Sequence, residues 1–154
     1  MSQETYNASK AIFGMFGAFV KDVADEIGWE KTIELYSKMG DRGGAQMAGF
    51  LKSQADKVRM DELGKMQSGF YNVSGWDMEY TSTPTSVEFL VHTCPCFDGF
   101  IENGIEVKKI NALCKATHNG MDKALKEVFP KAEFTSVTKP SKEGDCIEKV
   151  TIPL

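Results

Sequence analysis

The sequence predicts an α+β domain, and three observations carry that expectation. Apolar residues recur at helical spacing through the first half of the chain, the period changes to two from Gly75, and each alternating stretch is folded back on another by a proline- or glycine-bearing turn. A chain of 154 residues suits one domain that buries its own core without disulfide or metal staples. Residues 1–154 therefore read as a single unit, with a helical part over 1–68 and a hairpin–helix–hairpin part over 69–154 that carries the cysteines.

Taken in order, Ile12, Phe13, Phe16, Phe19, Val20, Val23 and Ile27 share one helical face, and Lys21, Asp22, Asp25 and Glu26 fill the other. Gly28 interrupts that helix. Trp29, Ile33, Tyr36 and Met39 then repeat at helical spacing up to Gly40, which predicts a second helix of about three turns. Gly40-Asp-Arg-Gly-Gly44 reads as a connecting loop, followed by a third helical face of Met47, Phe50, Leu51, Gln54 and Val58 and a short extension from Met60 to Met66.

Trp76, Met78 and Tyr80 alternate with Asp77 and Glu79, Thr83-Pro84 turns the chain, and Val87, Phe89 and Val91 alternate again, which predicts a β-hairpin. A short helix around Phe97–Asn103 ends at Gly104. Val107, Ile110, Cys114, Thr117, Met121, Leu125 and Val128 define a long helix closed by Pro130. Two last strands, near 132–138 and 145–152, flank the turn Lys139-Pro-Ser-Lys-Glu-Gly144. The expected arrangement is a mostly antiparallel sheet of two hairpins packed against the long C-terminal helix.

Composition excludes several functions. The net charge of −4 is spread evenly, with nine Lys+Arg against ten Asp+Glu in residues 1–74 and nine against twelve in 75–154. No basic face can be assembled from that, so nucleic acid is not an expected partner. The apolar run Ala11–Val20 fails as a secretory leader, because Glu4 precedes it, no small-residue cleavage site follows and Lys21-Asp22 continues an amphipathic pattern. No stretch reaches the roughly 18 apolar residues of a membrane span. The expected setting is cytoplasmic, where the four cysteines remain reduced. A homodimer is the default oligomer.

Chemistry concentrates in the cysteines. Cys94 and Cys96 flank Pro95 at a strand end, Cys114 lies inside the long helix, and Cys146 opens the last strand, alternating inward with Val150 and Ile152. Cys114, His118 and Asp122 form one stripe of that helix. If strand ends and helix meet, Cys94, Cys114, His118 and Cys146 make a ligand set suited to a divalent metal such as zinc or iron. Packing alone is the competing reading for Cys114 and Cys146, since free cysteine behaves as a small buried hydrophobe. Cys94, before a proline at an element boundary, is the strongest functional candidate, with Cys96 its weaker neighbour. His92 faces away from the Val87/Phe89/Val91 side of its strand. Arg42 and Arg59, the two arginines of the chain, are candidates for clamping a substrate carboxylate. The glycines of 40–44 resemble a phosphate cradle but lack the strand and lysine of a P-loop.

Thr93-Cys-Pro95 at a strand end, Cys114 on the next long helix, the exit Val128-Phe-Pro-Lys-Ala-Glu-Phe134 and Gly144-Asp-Cys146 at the last strand together resemble the L-2-amino-thiazoline-4-carboxylic acid hydrolase-like family. The likeness covers about the last sixty residues. A looser likeness, in cysteine placement and element order, extends to 4-vinyl-reductase-like small-molecule-binding domains. The resemblance implies opening of a small cyclic amidine that carries a carboxylate, with Cys94, Cys114 and Cys146 on the recurrent cysteines and Asp145 on their acidic neighbour. Two routes stay open. Cys94 attacks as a thiolate, its pKa lowered by His118 or a metal, or a cysteine-held metal activates water with Asp122 or Asp145 as general base. The second functional class is a non-catalytic sensor that binds a small molecule or a metal.

Overall fold

A computed structural model describes residues 2–54, 59–141 and 143–153. Five helices and four strands follow in the order α1 (Gln3–Ile27), α2 (Trp29–Gln54), α3 (Met60–Val73), β1 (Asp77–Thr83), β2 (Ser86–Thr93), α4 (Pro95–Glu102), α5 (Val107–Val128), β3 (Glu133–Val137) and β4 (Cys146–Thr151). The α+β class, the helical first half and the two hairpins stand as expected. Val58, expected on a helical face, lies outside the described residues.

Helix α1 starts at Ser2, whose hydroxyl accepts the Thr5 N–H at 3.1 Å, an ordinary N-cap. It stops at Gly28, which adopts φ +83°, a left-handed conformation that side-chain-bearing residues resist. The largest departure from expectation follows. Gly40-Asp-Arg-Gly-Gly44 is not a loop but the middle of α2, and one helix joins the second and third apolar faces. The glycines are there for packing. A Cβ on Gly40 would stand 2.8 Å from the Thr117 Cα, and one on Gly44 would drive into the Gly120 carbonyl. Gly120 on α5 reciprocates against the Gly40 carbonyl. Three missing side chains thus let α2 and α5 cross at backbone contact, the most extensive pairing of elements in the fold.

The sheet order is β1-β2-β4-β3, with every neighbour antiparallel. Val87, Phe89 and Val91 of β2 face inward and are fully buried. Pairing extends that inner face across the sheet. Phe89 lies opposite Tyr80 on one side and Glu148 on the other, Glu148 opposite Ser136, and Val91 opposite Cys146. The inner face therefore carries a carboxylate, a hydroxyl and a thiol among its apolar side chains.

Two apolar clusters form the core. One joins the sheet to Leu51, Met60, Leu63 and Leu125; the other joins Val20 of α1 to Phe97, Phe100, Ile110 and Leu113 of α4 and α5. Cys94 packs against both. Polar contacts fasten α1 to α4: the Tyr6 hydroxyl donates to the buried Asp98 carboxylate at 2.8 Å, and the Asn103 amide donates to the Gly14 carbonyl at 2.8 Å. No helix is long and apolar enough to cross a membrane among the described residues.

The glycine crossing makes opposite predictions for neighbouring positions. Gly44→Ala forces helices apart and is expected to cost about 1–3 kcal/mol, as overpacking does. Gly43→Ala, where a Cβ meets nothing within 4 Å, is expected to gain about 0.5–1 kcal/mol from helix propensity. Urea unfolding of both variants checks this; equal effects would mean that α2 does not rest on α5 through these glycines.

Candidate functional site

Strand β2 hands the chain to α4 at Cys94, which is the N-cap of that helix. Its sulfur accepts the Phe97 N–H at 3.4 Å, and Pro95 occupies the first helical turn, where its missing N–H has no partner to lose. The Cys96 N–H and the Trp76 indole also donate to this sulfur. Cys96 follows within α4, Cys114 looks in from α5, and Cys146 enters from β4 beside Val91.

These thiols come together. Cys94 and Cys146 pack against the sheet cluster, and Cys94, Cys96 and Cys114 against the cluster of α4 and α5. Tyr36 of α2 packs against the α4–α5 cluster and Tyr71 of α3 against the sheet cluster, the two clusters that Cys94 joins. Residues distant in sequence therefore share one interior region between α4, α5 and the inner face of the sheet.

Burial controls their chemistry. It raises the Cys94 thiol to about 11 against the pull of the N–H groups aimed at the sulfur, and it raises Cys114 to about 12. Cys96 is pushed well above its ordinary value and Cys146 upward, each chiefly by desolvation. Tyr36 and Tyr71 shift upward for the same reason. At neutral pH the lining is a set of uncharged thiols and phenols. All four cysteines nevertheless keep some accessible surface.

His118, expected beside the thiols, is engaged elsewhere. Its Nδ1 lies 2.9 Å from the Ser136 Oγ and its Nε2 3.1 Å from the Glu148 carboxylate. Both partners project from the inner face of adjacent strands, and the Phe134 ring meets the imidazole edge-on at 5.4 Å between centroids. The expected set Cys94, Cys114, His118 and Cys146 is not gathered into a cage: among the described residues, no three His, Cys, Asp or Glu side chains stand together as a metal ion requires. A zinc or iron centre thus finds no ready ligand set in this arrangement.

The remaining candidates lie apart. Asp122 is paired with Lys126 at 2.7 Å and accepts the Phe134 N–H at 3.4 Å. Asp145 is exposed beside His92, 3.3 Å from its Nδ1. Arg59 forks onto Asp61 at 2.8 and 3.1 Å on the surface, and Arg42 is exposed on α2. The structure brings neither arginine to the thiols. Lys139, only 2% exposed, is the basic residue that does reach them. Its backbone N–H donates to Cys146, while its Nζ donates to the His92 carbonyl at 2.9 Å and lies 5.7 Å from the Phe97 ring centre.

Sequence reasoning passed over Glu148, Ser136, Tyr36 and Tyr71. For Glu148 a signal was present: the alternation that turns Cys146 and Val150 inward turns Glu148 inward too. Ser136 and the tyrosines carried none, because only packing brings them to the site. Compared with known proteins, the chain matches no protein-family model and no curated protein.

The thiol shifts predict an alkaline transition. A group held protonated in the fold contributes stability below its unfolded pKa and loses it as pH rises through the folded value. Thermal stability should therefore fall between about pH 9 and 11 as the unfolded chain alone ionises at Cys94. The Cys94→Ala variant should show a shallower fall over this window. Identical pH profiles for the two proteins would refute the assignment.

Proposed function

We propose that this chain is a small-molecule-binding domain, with its ligand held at the thiols gathered between α4, α5 and the sheet. The observation that supports it is the convergence of four desolvated cysteines, each with surface left over, beside Tyr36 and Tyr71. A lining of neutral, polarizable groups with few strong hydrogen-bond donors suits a neutral heteroaromatic molecule, since binding sites are largely apolar with a few polar anchors. The looser likeness to 4-vinyl-reductase-like binding domains points the same way.

Ring opening of a cyclic amidine carboxylate, the activity implied by the thiazoline-hydrolase resemblance, asks Cys94 to act as a thiolate. The thiolate is the attacking species, and burial holds Cys94 in the opposite form. Lys139 would be the cation for such a carboxylate in place of Arg42 or Arg59, because it lies against Cys146. The physical support therefore favours binding at the thiols over attack by them.

Trp76 reports on the site through its contact with Cys94. In a Trp29→Phe background, titration with 2-aminothiazole, indole and quinoline, and with L-2-amino-thiazoline-4-carboxylate, is expected to give saturable Trp76 quenching for at least one compound. The same compound should slow alkylation of Cys94 by N-ethylmaleimide, and Cys114→Phe should weaken its binding at least about tenfold by filling the space. Absence of quenching across the panel, with thiols that alkylate at pH 7 as fast as in urea-unfolded chain, would overturn the reading.

A further inference from the structure

One turn along α5 from Cys114, and on the same stripe, lies a second set of reactive groups, in a cleft of about 540 Å³ between α5 and β3. That volume is within the range of small-molecule sites. His118 and Ser136 line it, with Asn111, Asn119 and Asp122 around them. Ser136 Oγ, His118 Nδ1, His118 Nε2 and Glu148 Oε1 form a continuous chain with links of 2.9 and 3.1 Å. The side chains of His118 and Glu148 are only 15% and 13% exposed, so their contact is withdrawn from water while the serine end meets the cleft. We propose that Ser136, His118 and Glu148 are a nucleophile, general base and positioning residue, and that this cleft hydrolyses small polar carboxylic esters.

The sheet geometry supplies the fourth requirement, a donor for the developing oxyanion. β3 is an edge strand. The Phe134 N–H points away from β4, because it donates to Asp122 on α5. In an antiparallel ladder the outward direction recurs every second residue, so the Ser136 N–H also points away from β4 and along the open edge. Ser136 and Glu148 then form a pair without mutual backbone bonds, the kind whose side chains stand closest. This explains how one imidazole spans both. Phe134 against the ring fixes the plane of His118.

The reaction balances with water as the co-reactant. Ser136 Oγ bonds to the ester carbon while its proton passes to His118 Nδ1, and the C=O π pair moves onto oxygen, facing the Ser136 N–H. Collapse restores the carbonyl and breaks the bond to the alkoxide, which takes the proton from His118. Water then attacks the acyl-serine by the same route, releasing the carboxylic acid and restoring the Ser136 hydroxyl. Glu148 holds the imidazole orientation and offsets the positive charge it gains. The proposal does not depend on ligand binding at the thiols, and either can fail alone.

The test uses the intact chain. A fluorophosphonate probe followed by peptide mapping is expected to place one adduct on Ser136, and p-nitrophenyl acetate hydrolysis should fall at least about a hundredfold in Ser136→Ala and in His118→Gln. Ser82→Ala, on the exposed part of β1, should keep the wild-type rate. Glu148→Ala should lower kcat with KM little changed, and Glu148→Asp should recover part of the loss, which a purely structural role would not produce. If Ser136→Ala fails to fold, Ser136→Cys keeps the contact to His118 and should be alkylated by iodoacetamide at pH 7 faster than any native thiol. A probe that leaves Ser136 unlabelled, wild-type turnover in Ser136→Ala, or a Ser136→Cys thiol no more reactive than the native ones would each overturn the proposal.

Discussion

Helix α5 holds its reactive side chains in fixed directions because α2 lies against it at backbone contact, and that contact exists only where Gly40, Gly44 and Gly120 leave out their side chains. A helix pressed this closely cannot rotate or slide without a clash, since protein interiors are packed without slack. With α5 pinned, Cys114 is held toward α4 and β4, and His118, one turn on, toward β3. The thiol cluster and the imidazole chain are thus two consequences of one helix crossing, one turn apart along the same face of α5.

Between them stands Glu148. A carboxylate on the inner face of a sheet is costly unless it is paired and hydrogen-bonded, and His118 supplies the pairing at 3.1 Å. The same carboxylate acts on the other side, where its charge helps to raise Tyr71, Cys114 and Cys146. Glu148 therefore links the two regions electrostatically: it positions a base on one side and reinforces the protonated state of the thiols on the other.

The cysteines show how the same residue type divides into separate chemistries by location. Three N–H donors converge on Cys94 at the start of α4, an arrangement that in a wetter site favours a thiolate. Here desolvation outweighs them, and the sulfur caps its helix as a neutral acceptor. The polar chemistry of the molecule accordingly sits where half-buried groups line an open cleft, at Ser136 and His118, and the apolar contacts collect around the thiols.

How much of this was legible in the sequence depends on the range of the interaction involved. Periodicity alone was enough for α1, α5 and both hairpins, because apolar spacing is set by which face of an element meets the core. It also turned Cys146 inward correctly. Local composition misled at 40–44, where glycines that signal a loop by propensity serve instead to let one backbone approach another; that role is invisible without the partner helix. The convergence of the four thiols was an expectation that element order made reasonable, but its membership was decided by packing. His118 shares a stripe with Cys114 yet binds across to Ser136 and Glu148, since neighbouring strands in register offer it a hydroxyl and a carboxylate at hydrogen-bond distance. The sequence by itself determined the class of fold, the elements and the inward parity of their side chains, all of which follow from short-range periodicity. Tertiary structure alone decided which polar groups meet, because strand order and helix crossing bring together residues that no spacing along the chain relates.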